Sequence, residues 1–142
     1  MFSIVETNND KKMIDSLMKL NDVTSDKGLV LKYEEIVMII ERKNDTLKNL
    51  GLIEIGKSVI DDIVYAFYDS SYIDSDNYFE TINELVSIFY EYQFEFSGYL
   101  SDEEIINYMR ECFDKCGGST LLLGSLFFDE LNSKIKFGDL YE

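Results

Sequence analysis

The sequence predicts an all-α fold, a compact bundle of about six helices, on three observations. Apolar residues recur at spacings of three and four through most of the 142-residue chain, the period of a helix with one buried face. Ser101-Asp102-Glu103-Glu104 has the spacing of a capping box, with Leu100 and Ile105 placed as its hydrophobic staple. The intervals between periodic segments are mostly too short to cross a domain, so consecutive helices pack as neighbours in one domain spanning 1–142.

There is no proline, so boundaries are read from caps and glycines. The first helix is expected from about Asp10 to Asn21, capped by Asn8 or Asn9, with Met13, Ile14, Leu17 and Met18 inward. The second runs from Tyr33 to Leu50, and Gly51 supplies a left-handed stop. Leu52 to Ile55 reads as a short extended piece before Gly56; it could form a very short β-pair with Gly28 to Leu31 or with Ile135 to Phe137. Ser58 caps a third helix whose residues Ile63 to Tyr68 are apolar or aromatic all round, which predicts the central element. Asp74 caps a fourth, stapled by Ile73 and Tyr78, with Tyr78, Ile82, Leu85, Phe89, Tyr92 and Phe96 along one side. The fifth extends from the capping box to about Lys115. A sixth follows Gly117-Gly118, from Ser119 to about Ile135.

Composition excludes more than it assigns. With 46% hydrophobic residues the chain has the apolar content of a folded domain despite a net charge of −15. The absence of His removes the commonest transition-metal ligand and the usual base for Ser or Cys nucleophiles. Strong acidity disfavours direct nucleic-acid binding and anionic membranes, both of which need clustered Lys and Arg. The longest uncharged run, Cys116 to Phe128, is too short to span a bilayer, which takes about 20 apolar residues. Met1 to Glu6 lacks a basic region and two cysteines cannot build a disulfide framework, so a cytoplasmic protein is expected. No cofactor and no metal are predicted.

The charge is concentrated. From Ser58 to Met109, 52 residues hold twelve acidic side chains, eight tyrosines and five phenylalanines, with no Lys or Arg. At 100° per residue, Glu80, Glu84, Glu91 and Glu95 form one row roughly 22 Å long on the fourth helix. These four are the candidate partner-binding residues. The row is either a solvated face or a surface for a basic protein. A DNA-mimic inhibitor of a nucleic-acid-binding protein is the first alternative. Self-association is also open, because the fourth and sixth helices carry more aromatic and leucine surface than a small monomer hides.

Other groupings read as structural. Asp69, Asp74 and Asp76 do not fit an EF-hand, since Phe79 stands at the required Gly and Leu85 at the bidentate Glu; caps and turns explain them. Cys112 and Cys116 fall in the apolar stripe of the fifth helix as small core residues. An enzyme would have to work with Asp, Glu and Tyr alone, from a cluster such as Glu54, Asp61, Asp62, Tyr65 and Tyr68.

Gly28-Leu29-Val30-Leu31, Arg42 with Leu47, Gly51 to Gly56, Phe67 with Asp69-Ser70 and Tyr72-Ile73, Ile88-Phe89-Tyr90, and Leu100 to Glu104 together resemble a family of uncharacterised small acidic bacterial proteins. The resemblance covers the chain from about Gly28 to Phe137-Gly138. It implies an origin in low-GC Gram-positive bacteria and carries no activity. The family often has Pro where this chain has Ser71.

Overall fold

A computed structural model describes residues 8–54 and 58–137, with side chains from 10 to 54 and from 58 to 136. Ile55, Gly56, the Asn8 and Asn9 side chains, the Phe137 side chain and Gly138, all used in the sequence reading, lie outside the described residues. The helices are α1 (Asn8–Thr24), α2 (Tyr33–Leu50), α3 (Ile60–Phe67), α4 (Tyr78–Phe96), α5 (Asp102–Lys115), α6 (Thr120–Gly124) and α7 (Leu126–Phe137). Among the described residues there is no strand, and the fold is all-α as the periodicity predicts.

The short β-pair does not form between described residues. Ile135 lies within α7. The Gly28–Leu31 segment is held by side chains instead: the Asn21 amide donates to the Leu31 carbonyl and accepts from its N–H, both at 2.9 Å. Thr24 Oγ1 donates to the Leu29 carbonyl at 2.6 Å. These bonds satisfy the connection's backbone without a partner strand. They also explain why α1 runs on to Thr24, beyond its expected end.

α2 has the predicted bounds, and Gly51 ends it at φ 70° with its N–H returned to the Leu47 and Lys48 carbonyls. The α5 capping box is complete: Glu104 N–H donates to Ser101 Oγ at 3.1 Å, and Ser101 N–H donates to the Glu104 carboxylate at 2.9 Å. Those bonds hold the Glu104 carboxyl below its ordinary pKa. Ahead of α4, Asp74 accepts from the N–H groups of Asp76 and Asn77, so it caps the turn while Asn77 takes the helix-entry position.

The central element is α4, not α3. It packs against α2, α3, α5, α6 and α7. All six of its predicted stripe residues are buried, together with Val86 and Tyr90. α3 is a short helix lying against α1, α4 and α5, and Tyr65 on its outer side is 52% exposed. An aromatic run marks burial on one side only when its tyrosines can keep their hydroxyls wet.

Arg110 ties the α3–α4 turn to α5. Its guanidinium pairs with Asp69 and, at 2.8 Å, with Asp114, and donates to the Ala66 carbonyl at 2.6 Å; Ser70 Oγ donates to Asp114 at 2.8 Å. The Arg110 guanidinium beside Asp69 lowers that carboxyl's pKa. Asp74 is therefore a turn cap, as expected, whereas Asp69 is an ion-pair partner rather than a cap. Against the same turn lies Gly118, at φ 84°, where a Cβ would stand 2.6 Å from Tyr72 Cβ.

The expected sixth helix is two. α6 ends at Gly124, Ser125 breaks the backbone at φ −125° and ψ −77°, and α7 starts at Leu126. The carbonyl of Leu123 accepts from the buried Tyr92 hydroxyl at 2.7 Å, a tertiary bond in place of a helical one.

Candidate functional site

The four glutamates of the α4 row have different surroundings. Glu80 and Glu91 are exposed; Glu84 and Glu95 are half-buried. Thr120 donates to Glu84, and Lys136 pairs with Glu95 at 2.9 Å, so α6 and α7 take up two of the four carboxylates. Glu91 lines a groove of about 530 Å³ between α2 and α4, where Arg42, Glu41 and Asp45 also lie. The face is thus interrupted by cations rather than continuously acidic.

Two other recesses gather acidic and aromatic groups. The first, of about 420 Å³, runs between α3 and α5 and is lined by Asp62, Tyr65, Ala66, Asp102, Glu103, Ile106 and Asn107. Asp62, Asp102 and Glu103 are exposed, and among the described residues none of them is in an ion pair. Arg110, which reaches the Ala66 carbonyl at the edge of this cleft, is committed to Asp69 and Asp114. Of the acid–tyrosine cluster expected from sequence, Asp62 and Tyr65 meet here. Asp61 turns instead to α1, accepting a hydrogen bond from Ser16.

The second recess, of about 140 Å³, lies where the chain leaving α2 crosses α4 and the start of α5. Glu54, Tyr90, Gln93 and Asp102 line it, with Leu47, Leu52, Ile53 and Val59 as apolar walls. Asp102 belongs to both recesses. Glu54 is fixed from two sides: Lys43 Nζ pairs with Oε1 at 3.0 Å and the Tyr90 hydroxyl donates to Oε2. The Lys43 side chain is only 3% exposed and also donates to Met13 Sδ at 3.3 Å. Gln93 donates to Asp102 Oδ1 at 3.0 Å.

Sequence reasoning found Glu54 but missed Lys43 and Tyr90. The signal for Lys43 was present: it falls about 20° from Ile36 on the α2 wheel, within the stripe of Ile36, Ile40 and Leu47. A cation on an apolar stripe requires a carboxylate from another element. Tyr90 lies well to one side of the α4 stripe, and only the breadth of burial on a central helix brings it inside.

Burial pushes the Tyr90 and Tyr92 hydroxyls far above the ordinary phenol range, and the Glu54 carboxylate raises Tyr90 further. Tyr90 is therefore a hydrogen-bond donor, not a base. Burial likewise raises Cys112, consistent with a core thiol; Cys112 and Cys116 are free. The unfolded phenols ionise near pH 10, whereas these two keep their protons in the folded chain. Stability from them is complete below pH 10 and is lost as pH rises beyond it, by about 1.4 kcal/mol per pH unit for each phenol. Urea midpoints taken at pH 8, 10 and 11 are expected to fall between the last two; an equal midpoint at pH 11 would contradict the burial of these hydroxyls.

Among the described residues no group of three or more Cys, Asp and Glu side chains is placed to hold a metal ion, and no helix is long and apolar enough to cross a membrane. Comparisons of the chain with curated proteins and with solved structures find no match. A family model described as a family of unknown function, DUF6323, matches residues 16–140. The match takes in the segments that carry the resemblance in the sequence, and the chain belongs to that family.

Proposed function

We propose that this protein is a non-enzymatic binding module that meets a basic protein through its acidic surface, with the α3–α5 cleft at the centre of the contact. The observation that carries this reading is the grouping of Asp62, Asp102 and Glu103 around an apolar floor of Ala66 and Ile106 beside the exposed ring of Tyr65. Carboxylates accept from Lys and Arg, and the tyrosine face attracts the same cations. Glu80 and Glu91 contribute to the field that steers such a partner rather than to its seat. The cytoplasmic and bacterial setting belongs to the same proposal.

The alternatives draw less support. A DNA mimic needs an unbroken ladder of anions, and Lys136 interrupts the α4 row at Glu95. An enzyme would find a carboxylate and a phenol together at Glu54 and Tyr90, but the phenol is held as a donor. Self-association has one observation of its own: Leu121, Leu122 and Leu126 stand exposed on the α6–α7 corner.

Octalysine is the simplest probe. It is expected to bind at low ionic strength and to weaken steeply by 0.15 M salt, where screening acts within about 8 Å. The combined variant Asp62→Asn, Asp102→Asn, Glu103→Gln should weaken it about tenfold, from about 0.5 kcal/mol per exposed pair. Binding that ignores both salt and the variant removes the proposal.

A further inference from the structure

The cavity beside Glu54 and the acidic cleft share Asp102 in their linings, so a segment seated in the cleft lies within a side chain's reach of the cavity. We infer that this cavity receives one lysine side chain of the basic partner, its stem against Leu47, Leu52 and Val59 and its ammonium at Asp102 and Glu54. The inference rests on the cleft reading above and specifies it.

Size is the first argument. At about 140 Å³ the recess is much smaller than the clefts of about 420 and 530 Å³, and it suits a single slender side chain rather than a stretch of backbone. The second argument is lining: Leu47 and Val59 are buried and Leu52 half-buried, giving an aliphatic stem an apolar wall, while the carboxylates of Glu54 and Asp102 supply acceptors and the two side-chain donors, the Tyr90 hydroxyl and the Gln93 amide, are already directed at those carboxylates.

Charge is the third. Glu54 is balanced by Lys43, but Asp102 has no cation among the described residues; its Oδ1 accepts only the neutral Gln93 amide. The positive end of α5 does not cancel it. That end is worth roughly half a charge, against three carboxylates, Asp102, Glu103 and Glu104, in the first turn. The cavity therefore suits a monocation. Glu54 is already oriented by Lys43 and Tyr90, so it meets a ligand without rearrangement.

Arginine fits less well. Its planar fork carries five N–H donors on a bulkier head, and Glu54 has already given one acceptor position on each oxygen to Lys43 and Tyr90. Buried donors left unmatched would penalise it.

The test uses the full chain and three acetylated, amidated pentapeptides of glycine with Lys, Arg or norleucine at the centre, followed by methyl NMR. The Lys peptide is expected to shift the Leu47, Leu52 and Val59 methyls saturably, at least fivefold more tightly than the Arg peptide, while norleucine leaves them unmoved. Asp102→Asn should weaken the Lys peptide about tenfold. Leu52→Phe, which fills the cavity without removing charge, should abolish the response, with the peptide-free methyl spectrum confirming that each variant is folded. Equal responses to Lys and Arg, or none at these methyls, overturn the inference. If Ala66 and Ile106 still respond to both cationic peptides, the cleft reading survives; silence at both places removes both.

Discussion

Lys43→Met is expected to destabilise the fold by about 3 kcal/mol, the lower end of the range for removing one partner of a buried ion pair. The Lys43 side chain is 3% exposed and that of Glu54 15%, so the carboxylate left behind is largely out of water. Tyr90 still donates to it, which offsets part of the loss and places the effect at the low end. The companion variant, Lys43→Met with Glu54→Leu, should recover most of the stability, because a desolvated pair replaced by apolar groups is often neutral or better. Urea midpoints of Lys43→Met, of Glu54→Leu and of the double variant close the cycle. A single variant within 0.5 kcal/mol of the parent would mean that the pair is hydrated, and the fixed orientation of Glu54 would go with it.

Tyr92→Ala should be at least as severe, about 4 kcal/mol, in the range for truncating a large buried aromatic. The ring is fully buried and packs edge-on to Phe128 at 5.1 Å and to Phe96 at 5.6 Å, with Tyr108 at 6.3 Å. Its hydroxyl holds the Leu123 carbonyl at the break between α6 and α7. Tyr92→Phe keeps the rings and leaves that carbonyl unsatisfied, for about 1–2 kcal/mol. The two variants also differ in place: amide exchange in α6 and α7 should accelerate in both, and exchange in α2 should follow only the global loss. Unchanged protection across 120–137 in Tyr92→Ala would show that the pair is anchored elsewhere.

What could be read from sequence was what local chemistry decides. The α2 bounds, the stop at Gly51, the α5 capping box and the buried side of α4 each depend on residues within a few positions of one another. The failures have long-range causes. Gly124 is a local signal for a weakened helix, but the bond that holds the Leu123 carbonyl at the break comes from Tyr92, 31 positions away. Gly28 to Leu31 looks extended, but Asn21 supplies the bonds a neighbouring strand would have supplied. The α3 segment looked central because tyrosine counts as apolar in a pattern while keeping a polar end in water. Glu80, Glu84, Glu91 and Glu95 all fall on α4, yet the partners of Glu84 and Glu95, Thr120 and Lys136, come from helices whose approach no local rule fixes. The recess at Glu54 draws on α2, α4, α5 and the chain after α2, so only the tertiary arrangement assembles it.

The tight approach at Gly118 bears on how sequences of this fold can diverge. Any other side chain there would begin with an atom 2.6 Å from Tyr72 Cβ, on a backbone at φ 84° that L-residues avoid. A lineage retaining the Ser70–Ile73 turn against the end of α5 is confined to glycine at this one position. One that has lost the glycine must have moved either that turn or the link between α5 and α6, which makes residue 118 a single-letter marker for whether a relative has kept this close approach.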